Sequence, residues 1–332
     1  MANIRGVAEK AGVSVTTVSH VVNKTRFVAP ETELRVRQAM QDLNYRPNNL
    51  ARSLRRGETK TIGLILPDSA NPFFAESARY LEEAAFQQSY SLILCNTNGD
   101  LEKERRYTDV LLNKQVDGII FMAAGDDKQS LLELVSRQFP VVVVDRILDH
   151  LEVDAVITDN HLSGYLATRY LLESGHKRIG IIRGPSNVNP SAQRVTGYQL
   201  ALTEVDIKVD PELEVIGDFH SGSGYKAAQQ LLQTAHPTAI FACNDLMAIG
   251  ALRAIREAGL SVPEDISLIG HDDIEIASYI QPTLTTIAQP IEKLAETAIQ
   301  FLLERIEQPN IPPRRTILPN ILVKRQSTRS IQ

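Results

Sequence analysis

No apolar run in the 332-residue sequence approaches the roughly 18 residues that a membrane-spanning helix requires. The opening "MANIRGVAEKAG" is amphipathic and charged within its first five residues, which excludes the apolar segment of a secretory leader. Only two cysteines occur, Cys95 and Cys243, too few for a disulfide framework or a cysteine-based structural zinc site. Both stand in apolar, strand-like contexts ("LILCNT", "IFACND") and read as small core residues. The chain contains no Walker loop, no G-x-S-x-G elbow and no His/Glu metal cluster, and "GSG" at 222–224 is too short for a dinucleotide fingerprint. Short repeats and low-complexity segments are absent too. What survives is a soluble, cytoplasmic protein of two or three domains, with no membrane association, and with no enzyme activity, cofactor or metal expected.

The charge that is present is unevenly placed. Formal net charge is −5 overall, yet residues 1–60 carry 11 Lys and Arg against 5 acids, a balance of +6, and the remaining 272 residues carry −11. A basic head on an acidic body is the footprint of a small phosphate-binding module joined to something else.

That head has helical periodicity. In "GVSVTTVSHVVNK" (12–24), a step of 100° per residue gathers Val18, Val21 and Val22 on one face, with Val15 at its edge. Thr16 and His20 fall on the opposite face, flanked by Thr17 and Ser19, and Ser14 suits an N-cap. Upstream, Ile4, Val7, Ala8 and Ala11 share a face, and Gly12 suits a helix end. Two short helices joined by about three residues predict a helix-turn-helix, whose second helix would read the major groove with its polar face. "PETELRVRQAMQDLNY" (30–45), led by a proline, predicts a third helix with Val36, Met40 and Leu43 on one face. Next, "RPNNLARSLRRGETK" (46–60) holds Leu50, Ala51 and Leu54 within two turns, too short to be helical alone in water.

From Thr61 onward, apolar strands ("TIGLILP", "SLILCNT", "DGIIFMAA", "PVVVVD", "RIGIIRG", "TAIFACND", "ISLIGHDD") alternate with amphipathic helices near 74–88, 102–114, 164–173, 191–203, 223–235 and 245–258. Strands buried on both faces and spaced by helices predict α/β architecture with doubly wound parallel sheets. The alternation is long enough for two similar lobes, divided near Asp159 and Asn160. Ligands bind beyond the carboxyl ends of such strands, and the polar residues collect there: Asn71, Phe73 and Phe74; Asp145 and Arg146; Arg194; Phe219; Asn244; Asp272; and Gln289. Carboxylates, guanidinium groups and amides with a few rings suit a polyhydroxylated ligand, since charged groups can take adjacent hydroxyls and rings cover the C–H side of a sugar. Asp245 and Asp273 read as loop or helix caps, and His271 as structural.

The first 56 residues resemble the DNA-binding headpiece of the lactose-repressor (LacI/GalR) family in "VAEKAGVSVTTVSHVVNKTRFVAPET" and "LNYRPNNLARSL". The remainder resembles that family's effector domain, itself similar to periplasmic sugar-binding proteins. The resemblance implies a helix-turn-helix headpiece over 1–47 and a hinge helix with linker over 48–60. It implies a first lobe from 61–159 plus 291–319 and a second from 160–290 plus 320–332. It further implies a homodimer, or a dimer of dimers, on palindromic operator DNA. The tail "QSTRSIQ" lacks the apolar heptads of a tetramerising segment, which favours the dimer.

By position in that family, Thr16 would read base edges, with Val15 beside it where relatives often carry a polar residue; an apolar side chain there could touch a thymine methyl. Thr17 flanks this face, and His20 and Arg26 would also reach toward base edges. Ser14, Asn23 and Tyr45 would hold phosphates. Leu54 matches a leucine that wedges into a central minor-groove step, Arg55 would enter the same groove, and Leu50 would pack between hinge helices.

"NPFF", "DR", the Arg194 position, "DF", "ND", "GHDD" and "TTIAQP" resemble ribose-binding proteins, and "CNTNGD", "GDF" and "GHDDIEIAS" resemble the ribose-responsive repressors of the family. The expected effector is therefore D-ribose. Asp145, Arg146 and the rings would stand on one side of it, and Arg194, Asn244 and Asp272 on the other. Closure would separate the hinge helices and release DNA. Another sugar or a purine stays open as effector, although the chain has no Trp and purine-responsive relatives have a more aromatic pocket. Outside the class, a transport binding protein would share the body without needing the basic head.

Overall fold

The computed structural model describes residues 3–45, 58–122, 129–146, 151–185 and 188–331. It forms two compact units, Met1–Thr59 and Lys60–Gln332. In the first, α1 (Ile4–Ala11), α2 (Val15–Asn23) and α3 (Pro30–Asp42) enclose a core of Val7, Ala8, Ala11, Val18, Val21, Val36 and Ala39. Small side chains suffice because the helices are short and close. The connection between α1 and α2 is tight because both ends are capped. Gly12 takes φ 66°, which a Cβ would oppose, and Ser14 Oγ accepts the Thr17 N–H at 3.0 Å. Lys10 and Asp42, 2.9 Å apart, tie α1 to α3 at the surface.

The second unit holds two six-stranded sheets. The first runs β2 (Ser91–Asn96), β1 (Thr61–Leu66), β3 (Gly118–Phe121), β4 (Val141–Val144), β5 (Asp154–Thr158), β11 (Arg315–Leu318), all parallel. The second runs β7 (Glu214–Ile216), β6 (Ile179–Arg183), β8 (Ala239–Ala242), β9 (Ser267–Asp272), β10 (Thr285–Ala288), β12 (Ile321–Val323). Both therefore wind outward from an interior pair, β1/β3 or β6/β8, which places a crevice at that switch point. The second sheet departs from pure parallel winding at one edge. β12 pairs antiparallel with β10, because the chain reaches it from β11 through Pro319 and Asn320 alone, with no helical crossover to reverse it.

The runs that read as strands are buried on both faces. In β1 and β4, Ile62, Leu64, Val142 and Val144 join one cluster, and Ile65, Val141 and Val143 join the other, the period of two of an extended chain. The helices span Pro72–Gln87, Leu101–Asn113, Gln129–Ser136, Asn160–Glu173, Asn189–Thr203, Ser221–Thr234, Asp245–Glu257 and Ile291–Glu307. Three connections cross between the sheets: Thr158 to Asn160, Ala288 to Ile291, and Leu318 to Ile321. Where the returning chain rejoins the first sheet, buried Asp154 takes Arg305 at 3.0 Å and Arg314 at 3.2 Å. Cys95 and Cys243 are buried, and burial pushes the Cys243 thiol up to about 12, which leaves it inert.

Candidate functional site

Two polar surfaces stand out, one on each unit. On α2, Val18 and Val21 are buried, and Ser14, Val15 and Thr16 are exposed on the other side. Thr17 and His20 are half-buried. Local hydrogen bonds fix the group: Ser14 Oγ lies 2.8 Å from Thr17 Oγ1, and His20 Nδ1 lies 2.8 Å from Thr25 Oγ1. Asn23 Nδ2 donates to Ser19 O at 2.9 Å, Arg26 is exposed, and Tyr45 packs against the headpiece core. Leu50, Leu54 and Arg55 lie outside the described residues.

The second surface is a cavity of about 360 Å³ between the carboxyl ends of the two sheets. Asn71, Phe73, Phe74, Asp145 and Arg146 line it from the first sheet, and Arg194, Phe219, Asn244 and Asp272 from the second. Aromatic cover thus comes from both sides rather than one. Phe73 and Phe74 meet edge to face at 5.1 Å, and Phe219 lies opposite.

Gln289 is absent from the lining and stands behind it. Its Nε2 donates to Asp272 Oδ1 at 2.9 Å, and its Oε1 accepts from Thr158 Oγ1 at 2.8 Å. Asn71 caps the Pro72–Gln87 helix by accepting the Phe73 N–H. Asn244 caps the Asp245–Glu257 helix through Met247 N and donates to Phe219 O at 2.9 Å, so it positions the ring.

Asp145, Phe219, Asp272 and Asp273 all have φ between 60° and 115°. Side chains other than glycine adopt that region at a cost of about 1–3 kcal/mol, and such strain gathers at binding sites. The charges inside are equally forced. Burial raises Asp145 to about 6 despite Arg194 and Arg146 nearby, and its Oδ1 has no hydrogen-bond partner among the described residues. That atom is an acceptor waiting for a donor. His271, driven down to about 4 by burial, is neutral and donates from Nδ1 to Asp272 Oδ1 at 2.8 Å, a hydrogen bond rather than an ion pair.

Two carboxylates expected to be caps have other duties. Asp245 is buried and accepts from Thr286 Oγ1 at 2.7 Å and Ile274 N at 3.0 Å, because extended Asn244 takes the cap position. Asp273 pairs with Arg325 at 2.7 Å. Burial holds the Asp245 carboxyl well above the usual range, reinforced by the charge of Asp272.

Asp68, Asn98, Asp218 and His220 also line the cavity and are not singled out by the sequence pattern, although each follows a strand end. His220 spans the mouth, 3.4 Å from Asp68 and 3.3 Å from Asp218. Among the described residues no cluster of three or more His, Cys, Asp or Glu could hold a metal, and no helix is long and apolar enough to cross a membrane.

The model of bacterial regulatory proteins of the lacI family matches residues 3–48, and that of the periplasmic binding protein-like domain matches 168–328. Among curated proteins, the HTH-type transcriptional repressor PurR of Pasteurella multocida is 46% identical over 310 residues, covering 93% of both chains. The ribose operon repressor of Escherichia coli K12 is 42% identical over 330 residues, 98% of this chain and 100% of that one. Among solved structures, a lac repressor dimer bound to operator and the anti-inducer ONPF matches with a TM-score of 0.89 at 31% identity over 99% of each chain. A lacI family regulator from Enterococcus faecium with bound ribose matches with a TM-score of 0.75 at 35% identity, over 82% of this chain and 100% of that one. The chain belongs to the lacI family of bacterial regulatory proteins and is a transcriptional repressor of that family.

Proposed function

We propose that this repressor binds a palindromic operator as a homodimer in the cytoplasm and releases it when D-ribose occupies the cavity between the two sheets. Thr16, His20 and Arg26 read base edges, with Val15 beside them, while Ser14, Asn23 and Tyr45 hold phosphates and Thr17 braces Ser14. Leu54 and Arg55, in the segment whose sequence matches a hinge, enter the minor groove. The domain boundaries are 1–47, 48–60, and two lobes joined by returning segments. Exposed Phe86 and Leu94 on one lobe and Ile276 and Tyr279 on the other supply apolar surface that a second copy would cover.

One observation carries the effector reading: buried charges of both signs, with Asp145 Oδ1 unpaired, share a cavity with rings at opposite walls. Hydroxyls donate to the carboxylates and accept from Arg146 and Arg194, and the rings cover the C–H surface. The cavity is sized for a small ligand. The ribose-bound relative and the ribose operon repressor support the same choice. A purine is the second reading, favoured by the PurR relatives and by rings able to cover a flat base.

Occupancy shifts the open and closed states only by its preference for one of them, typically about 1–3 kcal/mol of coupling, or 5- to 150-fold in operator affinity. Calorimetry of the full chain against D-ribose, other pentoses, hexoses and purines tests the reading. Ribose is expected to give the tightest binding; a purine that titrates while ribose stays silent contradicts it.

A further inference from the structure

The two buried charges that the second lobe presents to the cavity, Arg194 and Asp272, are both tied to the crossovers between lobes. Arg194 Nε donates to Asn160 Oδ1 at 2.7 Å, and Asn160 ends the first crossover, where its Nδ2 reaches Thr158 O at 3.4 Å. Asp272 accepts from Gln289 in the second crossover, and Gln289 in turn accepts from Thr158 in the first. All five side chains are buried. The contact between Asn160 and Arg194 requires a close approach of their helices. A Cβ at Gly164 would lie 1.9 Å from Arg194 O, and one at Gly197 would lie 2.0 Å from His161 O. Neither Thr158 nor Asn160 lines the cavity.

A hydrogen bond to a buried guanidinium or carboxylate is directional and costly to break. Ligand oxygens that fix Arg194 and Asp272 therefore fix Asn160 and Gln289, and with them the backbone of two crossovers, which Thr158 joins. We propose that Asn160 and Gln289, linked by Thr158, are positioning residues that convert engagement of Arg194 and Asp272 into a set angle between the lobes. This rests on the reading of the cavity as the effector site.

The test separates binding from response in the full-length chain. Operator affinity for an inverted-repeat duplex is measured without and with saturating D-ribose, alongside calorimetry, in wild type, Thr158→Val, Asn160→Leu, Asn160→Asp and Gln289→Leu. Thr158→Val is expected to bind ribose within threefold of wild type, yet to lose at least fivefold of the operator release at saturation. Asn160→Leu and Gln289→Leu should lose release and about tenfold in affinity as well. Asn160→Asp, which keeps the acceptor for Arg194, should restore most of the release. Full release at saturation in all the variants, with curves merely displaced to higher ribose, would overturn the proposal. If Asn160→Leu fails to fold, Thr158→Val decides alone, being nearly isosteric. Wild type is also titrated with a purine, and whichever ligand releases the operator serves for the variants. A failed sugar reading then leaves the wiring testable; release by neither ligand overturns both.

Discussion

The polar face of α2 and the cavity between the sheets are both built on apolar cores, and they hold their polar groups in opposite ways. Along α2 and its flanks, Ser14 meets Thr17, His20 meets Thr25 and Asn23 meets Ser19, partners three to five residues apart at an exposed or part-buried surface. Behind the cavity wall, Arg194 meets Asn160 from 34 residues away, and Gln289 meets Thr158 from 131. The first surface is largely exposed and is held by short-range hydrogen bonds along one segment. The second stores buried charge and strained backbone, a preorganised site with little freedom. Mutations should therefore act locally and additively on α2 and collectively around the cavity.

Arg146→Ala should give the largest effect. Deleting one buried charge is expected to weaken ribose binding about 100-fold, in line with charge-assisted bonds of about 1.5–3 kcal/mol, while affinity for operator without sugar is unchanged. Calorimetry and a gel shift on the same preparation check both halves. An unaltered sugar response would remove Arg146 from the site.

Asp145→Asn should split stability from function. Between the ordinary carboxyl value and about 6, the folded protein holds a proton that the unfolded chain has lost, so stability falls as pH rises through that window and stays low above it. The amide should then raise stability at pH 7 by something on the order of 2 kcal/mol and weaken ribose binding. Wild-type ribose affinity should rise with pH through about 6, as the acceptor ionises. Denaturant melts and calorimetry at pH 5 and 7.5 test the pair; a destabilised amide variant would contradict the assignment.

On the other surface, Thr16→Ala should cost about 1–3 kcal/mol at one base position and leave the ribose affinity alone. Competition among single-base operator variants reads this directly. Equal losses on every sequence would instead make Thr16 a phosphate contact.

His220→Gln should give the smallest effect. Burial alone would lower this histidine, but the backbone and carboxylate of Asp218 and the charge of Asp68 raise it. Its Nδ1 donates to Asp218 O at 3.0 Å, so only the protonated ring can also donate from Nε2 to Asp68 across the cavity mouth. The contact holds below the ordinary histidine range and loosens as pH rises past the raised value. Exposed pairs are worth about 0.2–1 kcal/mol, so from pH 6 to 8.5 wild-type affinity should fall only about two- to threefold relative to that of the glutamine variant, which shares the Asp145 titration.

The same contrast separates the features that are legible in the amino-acid order from those that are not. The caps at Gly12 and Ser14, the valine face of α2 and the strand runs are local patterns, and local energetics decide them. Strand-end residues such as Asp145 and Asn244 are legible because the fold class dictates where ligands bind. The backward-facing role of Gln289, the burial of Asp245 and the bridge from His220 to Asp68 depend on which segments meet, and no periodicity encodes that. Asp68, Asn98 and Asp218 follow the strand-end rule too, but each also fits an ordinary turn residue.

In the proposed mechanism, carbohydrate held by the cavity weakens the grip of the basic headpiece on DNA. The most direct measurement is the affinity of the full-length chain for an inverted-repeat operator, against scrambled competitor, across a D-ribose titration. Specific binding is expected to fall at least fivefold at saturating ribose. Unchanged or tightened operator binding would contradict it.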